Sequence, residues 1–454
     1  VAAFFRKGGR LMEVLPGYEE RPEQSQMVEA VCQAFNGDNI LLVEAGTGVG
    51  KSLAYLVPAI LWARQNQDKV VISTNTKNLQ EQLWTKDLPL LDRALDVKFD
   101  AAIIKGRANY LCPRKFLYEL REAQRELTAA ERAALLPLVV WFPETATGDM
   151  AEVTGFQGPA AADLAPRLTT RADECVGMAC RNARNCFVRA ARGRAMAADI
   201  IIANHSVVFS EMGLDSPVLP PHARIVFDEA HNVERVATEH FARRVSMSRL
   251  YRSLNRFHAS RRDGVGRGLL SSLRFQLSRS RQAIGETLAS MIDGHVEPCI
   301  HALGEVGRRA QAFDAAVSLL VPPSAGGRLR YHAAALPNNW PEAVEAAGEL
   351  ARSLGPLLER VKLISAAVQA TGAAMEEAPS LLAEMSASAG GLREFADDLL
   401  FCMEAKDPGY VFWAEAAENG RGQNALCAAP LEIGPLLSEG VYATKRTVVF
   451  CSAP

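Results

Sequence analysis

A chain of 454 residues with 48% hydrophobic content is long enough to bury more than one core, and ordinary domain sizes imply roughly two to four domains. The formal net charge of -2 excludes a globally basic nucleic-acid binder but leaves room for a local basic path. The nine cysteines are mostly far apart in a chain too large to need staples, which argues against a disulfide framework and leaves clustered cysteines as metal candidates.

The first segment, VAAFFRKGGRLMEVLPGYEE, lacks the long apolar core of a leader peptide. The longest mostly apolar stretch, AALLPLVVWF, is too short to cross a bilayer, so a soluble cytoplasmic protein is expected. Next, GYEERPEQSQMVEAV places Arg21 and Gln24 at a polar helix start. Arginine and the two-faced amide of glutamine can stack on and hydrogen-bond an adenine, although alone the pattern is equally a solvated helix end.

The apolar run NILLVEA then leads into EAGTGVGKS. A phosphate loop needs free backbone N–H groups, a lysine for the β and γ phosphates and a hydroxyl for Mg²⁺. Ala45, Gly46, Thr47, Gly48, Val49, Gly50, Lys51 and Ser52 form such a loop, with Ala45 where the strict pattern has glycine. The helical pattern SLAYLVPAILWARQ follows, interrupted by Pro58, where a kink is expected.

Further apolar runs, KVVIST, AAIIK, ADIIIAN, RIVFDE and RTVVFCS, read with the first as buried strands. Helical patterns between several of them, TKNLQEQLWTKDL for example, give the βαβ alternation of an α/β, doubly wound parallel sheet. About ninety residues separate AAIIK from ADIIIAN, and over two hundred separate RIVFDE from RTVVFCS, so two insertions interrupt one sheet. The second, Val233 to Leu426, is rich in Ala, Leu, Glu and Arg at helical spacing and is expected to be mainly helical.

Within the first insertion lie Cys112, Cys175, Cys180 and Cys186. Three cysteines within twelve residues plus a remote fourth suit a four-thiolate site for Zn²⁺ or an iron–sulfur cluster. Spacings looser than a zinc knuckle favour the cluster; reduced, unliganded thiols are the bland alternative. Arg171 to Arg194 holds six arginines against Asp173 and Glu174, an excess that suits nucleic-acid phosphates or a solvated helix face. DEAH, Asp228 to His231, follows RIVF at the carboxyl end of a strand. There Asp228 would hold Mg²⁺ and Glu229 would polarise an attacking water.

With these residues in order, the chain resembles the DinG and XPD family of superfamily 2 iron–sulfur helicases. The matching stretches are RPEQSQM, EAGTGVGKS, STNTKNLQEQL, GRANYLCPRK with Cys112, the three later cysteines, ANHSVV and FDEAHN. The resemblance implies a RecA-like motor sheet interrupted by an iron–sulfur domain and a helical arch. Its parts would be motor residues 1–105, 196–235 and 411–454, a cluster domain at 106–195 and an arch at 236–410. It also implies an ATP-driven DNA helicase of repair or replication, moving 5′ to 3′ on single-stranded DNA with a [4Fe–4S] cluster, ATP and Mg²⁺ as cofactors.

By position the resemblance gives Lys51 and Ser52 to phosphate and Mg²⁺, Asp228 and Glu229 to metal and water activation, and Arg21 and Gln24 to adenine. His231 would couple the nucleotide site to the end of the sheet. Thr74, Asn75, Arg184 and Arg189 are the expected DNA contacts. The implied partners are single-stranded DNA and single-strand/duplex junctions, with single-strand binding protein as a further one. The implied setting is a monomer at the nucleoid of a bacterial cytoplasm.

RTVVFCSAP resembles the strand entering the family's Ser-Ala-Thr motif, with Pro454 where threonine is expected and no second motor domain after it. The chain is therefore expected to be part of a longer protein and to hydrolyse ATP poorly alone. Two other classes stay open: a zinc-bearing DNA-binding module with a vestigial nucleotide site, and a P-loop NTPase that remodels proteins.

Overall fold

The computed structural model describes residues 1–171, 174–210, 219–260, 266–321, 327–416 and 424–453. Pro454 and Asp173, named above, lie outside them. Two compact units emerge: one of residues 1–170, 185–240 and 432–454, the other of residues 171–184 and 241–431.

All six runs read as strands form one parallel sheet in the first unit. These are β1 (Ile40–Glu44), β2 (Val70–Thr74), β3 (Ala101–Ile103), β4 (Ile200–Asn204), β5 (Arg224–Asp228) and β12 (Thr447–Ser452), in the order β1-β12-β5-β2-β4-β3. β2 and β5 are buried throughout because their Val, Ile and Phe side chains meet covering helices on both faces. β1 is an edge strand, alternately exposed, with Leu42 at 76% exposure. Phe35, Tyr55, Ile60, Val70, Ile72, Val226 and Val449 share one core under the helices Pro22–Gly37 and Lys51–Asn66. Pro58 lies inside the latter helix, which runs on through it.

Register brings the carboxyl ends of the strands together. Glu44 lies opposite Ser452, and Cys451 lies opposite Asp228. The phosphate loop, DEAH and the last strand therefore emerge at one end of the sheet, where open α/β folds bind ligands.

The first insertion folds partly as a helical satellite of this unit. Helices Pro113–Glu126, Ala129–Trp141 and Pro159–Leu168 close over Leu111, Phe116, Leu135, Leu138, Leu164 and Leu168. Thr128 and Glu131 form a reciprocal capping box at the second of these helices, and Arg167 pairs with Glu119.

The second unit carries the long helices expected of the second insertion, Glu286–Leu320, Trp340–Gln369 and Ala378–Glu404. It also carries a four-stranded antiparallel sheet that the Ala-rich composition did not announce. Its strands are β6 (Arg243–Ser246), β9 (Arg328–Tyr331), β10 (Tyr410–Glu415) and β11 (Ala425–Pro430), in the order β6-β11-β10-β9. A two-residue ribbon, β7 (Ala259–Ser260) with β8 (Gly266–Arg267), completes the numbering. β10 and β11, expected in part with the motor residues 411–454, thus pair with this sheet rather than with the motor sheet. Phe313, Leu357, Phe395 and Phe412 are buried in the core beneath it.

Candidate nucleotide site

The loop from Ala45 to Gly50 joins β1 to the helix Lys51–Asn66. Gly48 (φ 84°) and Gly50 (φ 85°) take the left-handed conformation that turns the chain into the helix. No side chain caps that helix N-terminus, so its N–H groups and positive dipole end are left for an anion. Lys51 folds back over the loop, its Nζ donating to Ala45 O (3.1 Å) and Gly46 O (3.4 Å). Thr47 and Val49 complete the turn.

Beside the loop is a cavity of about 270 Å³ lined by Pro16, Tyr18, Arg21, Gln24, Val49 and Leu53 among others. Gln24 is buried, and its Nε2 donates to Gly50 O (3.1 Å) while the Tyr18 hydroxyl donates to its Oε1 (2.7 Å). The amide is thereby fixed in one orientation against the loop. Arg21, exposed, stands at the mouth of the cavity as the N-cap of its helix. The cavity suits a planar heterocycle attached to phosphates on the loop.

Asp228, 5% exposed, ends β5. Burial pushes its carboxyl up to about 6. Tyr55 Oη donates to its Oδ2 (3.1 Å), and the Glu229 N–H donates to its Oδ1 (3.1 Å). Tyr55 was absent from the sequence reading because it sits in the apolar stripe of SLAYLVPAILWARQ and is fully buried. A phenolic hydroxyl among aliphatic residues, five positions after Gly50, was the one signal it gave. Oxygen ligands at Ser52 and Asp228, from a hydroxyl and a carboxylate, are the chemistry a Mg²⁺–nucleotide requires.

Glu229 is held in the left-handed region (φ 56°), a strain that non-glycine residues accept mainly at functional turns. His231 Nδ1 lies 2.9 Å from Ser452 Oγ and 3.5 Å from Glu229 Oε2, and its Nε2 is 2.8 Å from Asn232 Nδ2. DEAH is thus tied to the last strand of the sheet. Beneath it, His205 Nδ1 meets Ser73 Oγ at 2.7 Å, and burial depresses this imidazole to about 4, so it is neutral at pH 7.

The other expected residues are placed differently. Thr74 is fully buried and its hydroxyl donates to Thr76 O (3.3 Å), whereas Asn75 is half-exposed. Of that pair, Asn75 is the residue with surface to offer DNA. Arg184 and Arg189 are exposed, and Arg181 pairs with Glu377.

Cys112 and Cys186 precede the helices Pro113–Glu126 and Phe187–Ala197 in the first unit, while Cys175 and Cys180 fall in the second. All four are half-buried. Among the described residues no group of three or more His, Cys, Asp or Glu side chains is placed to hold a metal ion. Four thiols suit an iron–sulfur cluster chemically. Cys299, Cys402, Cys427 and Cys451 are buried as small apolar residues, and Cys32 is half-buried. Among the described residues no helix is long and apolar enough to cross a membrane.

Sheet, loop and acidic strand end define a P-loop motor domain of RecA-like type. The sequence model of the DEAD/DEAH box helicase family matches residues 21–115. A Bacillus subtilis (strain 168) protein named 3′-5′ exonuclease DinG is 30% identical over 457 residues, covering 98% of this chain and 46% of that protein. ATP-dependent DNA helicase YoaA of Haemophilus influenzae is 34% identical over 258 residues, covering 55% of this chain and 39% of that protein. A solved structure of an XPD helicase aligns over 95% of this chain and 58% of its own, with a TM-score of 0.44 and 11% identity. The chain is thus similar over almost its whole length to a DinG protein, and its segment 21–115 matches the DEAD/DEAH box helicase model. It spans less than half the length of these two relatives.

Proposed function

We propose that this chain supplies the nucleotide-binding motor half of an ATP-dependent DNA helicase that moves 5′ to 3′ on single-stranded DNA. The observation that carries the reading is the bond from Tyr55, in the helix begun by Lys51 and Ser52, to Asp228 at the end of β5, with that helix N-terminus uncapped and a cavity beside Gly50. Arg21 and Gln24 would hold adenine, the loop N–H groups and Lys51 the phosphates, and Ser52 and Asp228 the Mg²⁺. When bound, that ion would neutralise charge developing on the phosphates. Glu229 is the group beside Asp228 suited to orient and deprotonate the attacking water. His231, joined to Ser452, would report the state of that site to the end of β12.

On the same reading, Cys112, Cys175, Cys180 and Cys186 bind a [4Fe–4S] cluster. Arg184, Arg189 and Asn75 line the path of the DNA strand. Support comes from the order and spacing of the motifs and from the helicase names of the relatives.

The test is ATP hydrolysis with and without single-stranded DNA, and unwinding of duplexes with 5′ or 3′ tails, by the complete protein. Lys51→Ala should lower DNA-stimulated hydrolysis by about 10²-fold or more and abolish unwinding of 5′-tailed duplexes. Hydrolysis that ignores DNA, or unwinding that survives Lys51→Ala, would overturn the reading.

A further inference from the structure

The antiparallel sheet of the second unit has two unlike faces. Side chains alternate across a strand, and Val245, Tyr331, Phe412, Ala414, Leu426 and Ala428 are all buried in the core beneath it. The positions between them make the opposite face. Register sets Arg244, Cys427, Trp413 and Arg330 side by side across the four strands, with Arg328 beside Glu415 in the next row. Cys427 is buried as the floor of its row, Trp413 is half-buried, and Arg244, Arg328 and Arg330 are exposed.

Glu415 organises this face. Arg244 Nη1 donates to its Oε2 (2.7 Å), Trp413 Nε1 donates to its Oε1 (3.0 Å), and Arg328 Nη2 lies 2.9 Å from the same Oε1. The indole is held by its edge, which fixes the plane of the ring. Arg330 has no acidic partner among the described residues. Three guanidiniums against one carboxylate leave an excess of positive charge around a fixed aromatic ring. Exposed ion pairs contribute little to stability, and a tryptophan on the outer face gives up burial that the core face offers.

We infer that this face binds single-stranded nucleic acid, with a base stacked on Trp413 and phosphates held by Arg244, Arg328 and Arg330. The inference rests on the DNA part of the reading above. Guanidinium groups pair with phosphate through two parallel N–H donors. The row from β6 to β9 spans about 14 Å at ordinary strand spacing, long enough to meet more than one phosphate. A duplex keeps its bases stacked on one another and offers the ring no face, so the arrangement favours a single strand. An acidic peptide would satisfy the arginines and leave the indole unused.

The experiment is binding of a short oligothymidylate, and of a duplex of equal length, to the 454-residue chain. Fluorescence anisotropy over a range of salt compares wild type, Arg330→Gln, Trp413→Leu and Trp413→Phe. Arg330→Gln, exposed on the edge strand β9, leaves the core untouched and should reduce the slope of log affinity against log salt by about 0.7. Trp413→Leu should weaken oligothymidylate binding about tenfold and leave duplex binding unchanged. Trp413→Phe, which keeps a ring, should recover most of that loss. Unchanged oligothymidylate affinity and salt slope in Arg330→Gln and Trp413→Leu overturn the inference and leave the DNA reading intact. Equal losses on single strand and duplex also overturn it, by removing the stacking. Loss of polyglutamate binding in Arg330→Gln with oligothymidylate affinity unchanged overturns it too, and makes the occupant an acidic protein segment. A wild-type chain that binds no oligothymidylate even at low salt would sink the DNA reading itself, a result distinct from the others.

Discussion

The phosphate loop and the cysteine segment are both conspicuous in the sequence, yet only the first rests on a packed core. Loop, Tyr55 and Asp228 hang from two parallel strands of one sheet, β1 and β5 on either side of β12, and from a helix packed on a continuous core. Their relative positions follow from apolar burial. Residues 174–186 hold only two short 3₁₀ turns, Gly177–Ala179 and Ala183–Asn185, and contribute nothing to a core. A site without a core must take its ordering energy from its ligand, as metal-nucleated folds do. The nucleotide end is thus preorganised by packing, whereas the cysteine segment has no core of its own to order it.

That contrast can be broken at the loop first. Gly50→Ala would place a Cβ in the left-handed region and 2.3 Å from Gln24 Nε2, so the amide must leave its bond to Gly50 O. Strain and the lost bond together cost about 2–3 kcal/mol. ADP affinity, followed by calorimetry, should fall by more than about tenfold.

Tyr55→Phe is the next largest perturbation, because it strips a buried carboxylate of a donor at a cost of about 2 kcal/mol. That bond favours the charged form, so its removal moves Asp228 further above about 6. The midpoint of Mg²⁺–ADP binding against pH should shift upward, and a midpoint that stays put would show that Tyr55 does not govern Asp228.

The smallest effect is in pH-dependent stability. His205 falls to about 4 in the fold against an ordinary value near 6.5, so the unfolded chain binds more protons between those limits. Stability through this group is intact above pH 6.5 and falls as the pH drops toward 4, by about 1 kcal/mol between pH 7 and 5.5. Asp228, raised to about 6, acts in the opposite direction between about 6 and 3.8. The contribution is therefore read as the difference between wild type and His205→Gln in denaturant unfolding at the two pH values.

What the sequence disclosed follows the same division. Val, Ile and Phe runs announced the central strands β2, β4 and β5 because a doubly covered strand must be apolar throughout. Gly48, Gly50, Lys51 and Asp228 stand out in the sequence because few residue types suit phosphate and metal chemistry. Tyr55 was hidden, since a buried hydroxyl in an apolar helix carries no pattern. Thr74 misled for the converse reason: position in a motif suggested surface, while strand burial consumed it. The antiparallel sheet of the second unit escaped because β6 and β9 are four residues each, and β6 lies far along the chain from its partner β11.

The most direct test of a preorganised nucleotide end beside a cysteine segment without a core of its own is Mg²⁺–ADP affinity measured alongside iron and sulfide content, for wild type and Cys175→Ser. The account predicts that Cys175→Ser loses iron while ADP affinity stays within about twofold of wild type, since Cys175 belongs to no part of the core that holds Lys51 and Asp228. Loss of ADP binding together with iron would contradict it.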